Sequence, residues 1–172
     1  MPRALSHVYY DPISEDNRRE LTKIWNAYTS HPSDPVVANR KLETWGRTLL
    51  VPESTSTVAR FRFMDLCGNP LSAADYLEIT KNFGTIFILD IPKMGLGQKD
   101  LVSIIPFALV MRANNRRQAR RFITFVDACY DSKVKLLALS EVPITKVFAD
   151  DPNATDGDVS AHMRSIMDDL VR

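Results

Sequence analysis

Apolar residues in the first part of the chain recur with the period of a helix. They lie three or four positions apart at Leu21, Ile24, Trp25 and Tyr28, as on the buried face of an amphipathic helix. Ser14 precedes this stretch, where its hydroxyl can cap a helix, and acidic residues follow it in the first turn. We therefore predict a helix from Ser14 to about Ser30.

Other segments alternate between apolar and polar residues or are continuously apolar, and these predict strands. Phe61 and Phe63 are two positions apart and fall on one face of the second strand of a hairpin, as in a half-buried antiparallel strand. Uninterrupted apolar runs later in the chain favour interior strands. Strands are predicted at 7–10, 44–51, 57–66, 85–91 and 134–139.

Helices are predicted between and after these strands. Ser72 can cap one that runs through Phe83, with Gly84 placed to end it in the left-handed conformation. Another covers 120–130, and the last follows a polar loop that starts at Asp150. The element order β-α-ββ-α-β-α-β-α predicts an α/β domain that has a mixed sheet with flanking helices.

Residues 102–118 interrupt this pattern. Their first part is apolar without a period and contains Pro106, which we expect to break any helix, and their second part is abruptly basic. If the segment is deleted, Leu101 falls four positions before Phe122 and a single amphipathic helix results. The sequence thus indicates an insertion into a helix.

The codons that could encode this segment indicate an origin for it. Val102-Ser103 can be GTAAGT, a splice donor, Ala113-Asn114 can be GCTAAC, a branch point, and Gln118 can be CAG, an acceptor. Our hypothesis is that 102–118 is a translated, unspliced intron. The alternative is a genuine inserted surface loop or a hydrophobic hairpin.

Composition and charge limit the classes of protein to which this chain can belong. The chain has 172 residues, 45% hydrophobic and 25% charged, with a net charge of +1. This fits one globular domain and gives no overall field that would draw it to nucleic acid or anionic lipid. No apolar run is long enough to span a bilayer. The first ten residues contain neither a secretory signal nor a mitochondrial presequence.

A cluster of arginines raises the question of anion binding. Its members are Arg112, Arg116, Arg117, Arg120 and Arg121. Because no aromatic residues are interleaved on a strand, the cluster does not indicate a nucleic-acid surface. Arg120 and Arg121 begin a predicted helix and could contact a phosphate, as an arginine finger does. The alternatives are pairing with Asp127 or Asp75, or simple solvation.

The other groups that could carry chemistry give weaker signals. Residues 92–100 lack the glycine spacing, the Gly-Lys pair and the hydroxyl of a phosphate-binding loop, and they predict an ordinary strand-to-helix connection. Cys67 and Cys129 have no histidine partner nearby, no CxxC spacing and too few companions for a disulfide framework, so we expect them in the core. The three histidines are not spaced as metal ligands.

Two further sets of residues carry expectations, one from their place at strand ends and one from their aromatic side chains. Asp65 and Asp90 end predicted strands and could act as paired carboxylates, but the sequence does not bring them together. Aromatic side chains are predicted to anchor the core at Tyr9, Tyr10, Trp25 and Trp45.

One stretch carries a recognisable motif. It reads A-R-F-x-F, then Leu-Cys, then P-L-x-A-x-D-Y, on Ala59, Phe61, Phe63, Leu66, Cys67, Pro70, Leu71, Ala73, Asp75 and Tyr76. This pattern resembles the ATPase-family-gene-one-like proteins of mitochondria and their bacterial relative, the cell-division ATPase ZapE. Four more stretches resemble the same family, at 45–49, 83–92, 119–131 and 134–143.

The resemblance implies that residues 1–172 form a single C-terminal region of an AAA+ (P-loop NTPase) protein and lack its P-loop. The complete protein would be a mitochondrial ATPase that binds ATP and Mg²⁺, forms a homo-oligomer, and remodels or clears inner-membrane respiratory subunits. Cys67, Pro70, Asp75, Tyr76 and Asp127 would be family motif positions. This chain alone is expected to have no cofactor, metal or catalytic residue.

The resemblance also supports the interpretation of residues 102–118 as an insertion, because the family joins the equivalents of Leu101 and Ala119 directly.

Two other functions stay open. One is a stand-alone protein-binding module without ATPase activity. The other is a non-functional gene-model product that does not fold stably, which a cooperative unfolding transition would argue against.

Overall fold

The computed structural model describes residues 8–94, 106–143 and 147, with residues 106–115 described by their backbone. The elements, in chain order, are β1 (Val8–Tyr10), α1 (Glu15–Tyr28), β2 (Val37–Thr44), β3 (Arg47–Ser54), β4 (Val58–Arg62), α2 (Phe63–Cys67), α3 (Ala73–Asn82), β5 (Thr85–Ile91), α4 (Pro106–Asp131) and β6 (Lys135–Ser140).

The strands form one mixed sheet in the order β1-β6-β5-β4-β3-β2. β1, β6, β5 and β4 are parallel to one another, while β3 pairs antiparallel with β4 and β2 pairs antiparallel with β3. The α/β class with a mixed sheet is therefore confirmed. It is consistent with a domain of the P-loop NTPase class, whose parallel strands are joined by helices.

Alternating side chains of the interior strands build two apolar layers. Phe87 on β5 packs on one face with Leu21 and Trp25 of α1. The Trp25 and Phe87 rings are arranged edge-on, with their centroids 5.2 Å apart. Ile86 and Ile88 of the same strand point to the opposite face, where α2, α3 and α4 pack together. The sheet is thus covered on both faces, as its apolar interior strands predict.

Among the predicted boundaries that are wrong, two involve caps. The strand predicted at 57–66 ends at Arg62, because the Asp65 carboxylate accepts a hydrogen bond from the Arg62 N–H at 2.9 Å and starts α2. Helix α3 does begin after Ser72, but it ends in an extended Phe83. Gly84 is not left-handed, so its expected role as helix terminator is not realised.

Strand β2 was not predicted, because its sequence, VANRKLET, is polar and mostly exposed. It forms through its pairing with β3, from Val37 opposite Ser54 to Thr44 opposite Arg47. The two-residue turn between them consists of Trp45 and Gly46, both with positive φ, as a type I′ turn requires. Trp45 is 91% exposed, so its expected place in the core is wrong.

Helix α4 extends further toward the N-terminus than the sequence predicts. It runs without interruption from Pro106 to Asp131, and Pro106 is its first residue rather than a break. Proline is favoured at that position because the first helical N–H needs no partner within the helix. Residues 102–105 of the suspected insertion and the helix expected after Asp150 lie outside the described residues.

Candidate functional site

The motif residues meet where α2 turns into α3, which we call the α2–α3 junction (residues 63–76). The Tyr76 hydroxyl, buried in this junction, donates to the Leu66 carbonyl at 2.7 Å. Tyr76 is 1% exposed and Cys67 is fully buried. The motif therefore fixes the return of the chain between two helices that share the same core.

Asp75 is the polar centre of the junction and is only 3% exposed. Its Oδ2 accepts from the Ser72 N–H at 2.7 Å and from the Ser72 hydroxyl at 3.0 Å, while Ser72 caps the helix in return. Arg47 of β3 donates to the same oxygen at 3.3 Å and to the Pro70 carbonyl at 3.4 Å. Asp75 thus joins the hairpin to α3, and its cation is Arg47 rather than Arg120 or Arg121.

Helix α4 contributes an arginine to the same junction. Arg121 Nη1 donates to the Cys67 carbonyl at 3.0 Å, at the C-terminal end of α2, where carbonyls lack helical partners. Arg120 is exposed, and Asp127 is half-buried on the same helix. The structure therefore engages Arg121 in the fold and leaves the Arg120 side chain at the surface.

Neither cysteine has the environment of a nucleophile. Both are buried, free thiols. Burial raises the pKa of Cys67 to about 12, although contact with Tyr76 and the charge of Arg121 oppose this. Burial also raises the pKa of Cys129 well above its usual value. Since the thiolate is the reactive form, burial and the raised pKa values fit a packing role in the core for both side chains.

The carboxyl end of the parallel strands is where α/β proteins bind ligands, and an ion pair lies there. Arg18 of α1 donates through Nη2 to Asp90 Oδ1 at 2.7 Å. Asp90 has a φ of 62° at a register shift near the end of β5. Asp65 instead caps α2, so the two carboxylates considered as a pair each have a separate role.

Sequence reasoning missed Arg18. The one signal available was its position one turn after the Ser14 N-cap, on the helix that follows β1. Nothing in the sequence indicated that it would reach Asp90, because that contact joins residues 72 positions apart. It depends on β1 and β5 lying two strands apart in the sheet.

A P-loop binds phosphate at a glycine-rich connection between a strand and the helix that follows it, and the β1–α1 connection is of this strand-to-helix kind. Here it is the short segment 11–14, Asp-Pro-Ile-Ser, without glycine or lysine, and Glu15 and Asp16 occupy the first turn of the helix. Those carboxylates interact favourably with the helix dipole that a phosphate would otherwise use. Residues at this connection therefore do not fit a nucleoside triphosphate.

Two further properties concern the part of the chain that the structure describes. It contains no group of three or more His, Cys, Asp or Glu residues placed to hold a metal ion. None of its helices is both long and apolar enough to cross a bilayer. The glycines of the rejected loop candidate, Gly95 and Gly97, lie outside the described residues.

Comparison with known proteins identifies relatives. An uncharacterized protein of Schizosaccharomyces pombe is 32% identical over 146 residues, 85% of this chain and 28% of that protein. Lactation elevated protein 1 homolog B of Danio rerio is 30% identical over 163 residues, 95% of this chain and 28% of that protein. The cell division protein ZapE of Escherichia coli K12 is 27% identical over 150 residues, which are 85% of this chain and 34% of that protein.

The chain spans about a third or less of the length of these relatives. No solved structure shows significant similarity to it. A sequence profile of the family described as AFG1-like ATPase matches residues 3–158. Since that match covers most of the chain, the chain belongs to the AFG1-like ATPase family.

Proposed function

We propose that this chain supplies a part of an AFG1-like ATPase that lies outside the nucleotide-binding core and does not itself bind ATP. The observation that carries this proposal is the β1–α1 connection. Acidic Glu15 and Asp16 in the first turn of α1 disfavour a phosphate at that helix N-terminus, and Arg18 pairs with Asp90 at the end of the central strand. A carboxylate already paired with a guanidinium is a poor ligand for Mg²⁺.

This proposal is tested by nucleotide binding to the chain alone. Adding Mg²⁺ and ATP is expected to leave its thermal unfolding midpoint unchanged, because a ligand raises that midpoint only by binding the native state. The measurement is a thermal shift titration, with isothermal calorimetry at the same ATP concentrations. A complete family member with an intact P-loop serves as the positive control and is expected to be stabilised. A saturable shift for the chain alone would contradict the proposal.

In the complete protein we propose that ATP and Mg²⁺ bind at a P-loop elsewhere in the sequence and that the subunits form a homo-oligomer. Family membership supports nucleotide binding in general.

Arg120 is the better of the two arginines for contacting a phosphate, since it is exposed and Arg121 already donates to the Cys67 carbonyl. In the complete protein, Arg120→Ala should lower ATP turnover without lowering the unfolding temperature.

We propose a mitochondrial location and membrane-protein clients among inner-membrane respiratory subunits. The support is the resemblance of the 59–77 motif to mitochondrial members. A relative named for cell division, ZapE, belongs to a bacterium and does not specify a client for this chain. Subcellular fractionation of cells that express the complete protein tests the location.

The hypothesis that residues 102–118 are a translated intron remains a proposal. Its support is the codon pattern at the segment edges and the amphipathic helix that its removal would create. Sequencing of the transcript is expected to show messages in which Leu101 is followed directly by Ala119. Reads that retain the whole segment in most messages would contradict it and favour a genuine extension of α4.

A further inference from the structure

The turn between β2 and β3 displays a tryptophan that the described residues do not cover. Trp45 is 91% exposed and has a φ of 45°. Asparagine, aspartate or glycine is the usual residue at this position of a type I′ turn, because bulky side chains are disfavoured at positive φ. Trp45 therefore combines an unfavourable backbone conformation with an unburied indole.

Other apolar side chains are exposed on the same hairpin. Four of the nine large hydrophobic residues that are exposed among the described residues lie within 36–50. They are Val36 at 40%, Val37 at 41%, Trp45 at 91% and Leu50 at 55% exposed. Within one copy they are spread along the hairpin, with Trp45 at the turn and Val36 and Val37 at the opposite end of β2.

β2 forms one edge of the sheet, and no described strand pairs with its outer side. Its regular extended part is bounded by two left-handed residues, Asn39 with a φ of 51° and Trp45. Between them lie Arg40–Thr44, and the centre of that stretch is Leu42. An unpaired edge of this kind is a template for a further strand.

The charges on β2 indicate which strand would pair there. In an antiparallel pair of two β2 strands centred on Leu42, each Lys41 lies opposite Glu43 of the second copy. Both side chains are exposed, and Glu43 uses one carboxylate oxygen to accept from the Thr48 hydroxyl at 3.0 Å. Centring the pair on Arg40 or Lys41 would instead place like charges opposite each other.

The same register also places the exposed apolar residues. Thr44 of one copy then lies opposite Arg40 of the second copy, so Trp45, which follows Thr44, comes to the end of the second β2 at which Val37 is exposed. The two Leu42 side chains meet on the opposite face of the pair, the face on which Leu42 packs against the core. Charge, backbone geometry and exposed apolar surface thus select one register.

We propose that two copies of this chain associate through β2, paired antiparallel over Arg40–Thr44 about a two-fold axis at Leu42. The pairing joins two six-stranded sheets into one continuous sheet. Because the paired strands are short, the association is expected to be reversible, with a dissociation constant in the micromolar range.

Sedimentation velocity of the chain from micromolar to submillimolar concentration tests this register by charge reversal. Lys41→Glu alone creates two pairs of opposed acidic side chains, each between position 41 of one copy and Glu43 of the second. It is expected to raise the dissociation constant of the dimer roughly 30-fold. The double variant Lys41→Glu, Glu43→Lys restores two opposite-charge pairs and should restore the dimer. Both positions are exposed, so the fold should be unaffected, which circular dichroism checks.

A cross-linking experiment locates the axis. With the two strands paired, the Cα atoms of the two Leu42 residues would lie about 4.5–5.5 Å apart, within the range of a disulfide. Leu42→Cys is therefore expected to form a covalent dimer on mild oxidation. Leu50→Cys, one strand further from the axis, is the control and should not. Cys67 and Cys129 are buried and should not interfere.

A wild-type chain that stays monomeric over this range would overturn the proposal. A dimer that is insensitive to Lys41→Glu, or one that the double variant fails to restore, would overturn it equally. Neither result would bear on the proposal that the chain does not bind ATP, which rests on residues at the carboxyl ends of β1 and β5.

Discussion

Replacing Phe125 with alanine is expected to cost the fold about 3–5 kcal/mol of unfolding free energy, the usual loss for a buried aromatic ring. Phe125 lies on the inner side of α4 and is fully buried. Its ring meets the Tyr76 ring at 5.6 Å in an edge-on arrangement. The substitution therefore opens a cavity at the contact between α4 and the α2–α3 junction.

Urea unfolding followed by circular dichroism measures this loss. Tyr130→Ala is a matched control, because Tyr130 is an aromatic residue on the same helix but 46% exposed. It should change the unfolding free energy much less. Equal losses for the two variants would mean that α4 does not pack as described here.

Replacing Asp75 with alanine is expected to cost about 2–3 kcal/mol, through loss of a buried acceptor that also serves a helix cap. The carboxylate accepts from the Ser72 N–H and hydroxyl and from Arg47. Without it, the Ser72 N–H loses its partner and Arg47 of the hairpin loses its ion pair with α3. The unfolding free energy in urea is again the measurement.

Two single substitutions separate these contributions. Ser72→Ala leaves Asp75 and the Ser72 N–H in place and removes the hydroxyl, which both caps α3 and donates to Asp75; this should cost about 1 kcal/mol. Arg47→Ala should cost less than about 1 kcal/mol, because the Arg47 side chain is 54% exposed and its ion pair is screened by water. If Asp75→Ala cost no more than Ser72→Ala, the carboxylate would not be the centre of the junction.

Local signals in the sequence were sufficient for the interior of the fold. The apolar runs at 85–91 and 134–139 correspond to β5 and β6, and the Ser14 and Ser72 caps both begin helices. These features depend on neighbours within a few positions. They are also tied to burial, which makes their patterns strong.

The hairpin shows why other parts could not be predicted. β2 is polar because it lies at an edge, so its strand conformation depends on pairing with β3 and not on its own side chains. Trp45 was assigned to the core from its residue type alone, but a two-residue turn places it outside. An exposed tryptophan has no distinguishing local pattern in the sequence.

The candidate site likewise has a part that the sequence indicates and a part that only the fold reveals. The motif at 59–77 predicts Cys67, Asp75 and Tyr76 as family motif positions, and the structure brings Arg47 to Asp75 and Arg121 to Cys67 from distant positions. The Arg18–Asp90 pair was missed because it depends on the strand order. Contacts of this kind become visible only once the sheet is known.

The position of β1 has a consequence for how the chain reaches its native state. Among the described strands, β1 pairs only with β6, from Val8 opposite Leu137 to Tyr10 opposite Leu139. Contacts between such distant parts require closing a very long loop, which slows folding. During synthesis β1 therefore has no partner among the described strands until β6 has left the ribosome.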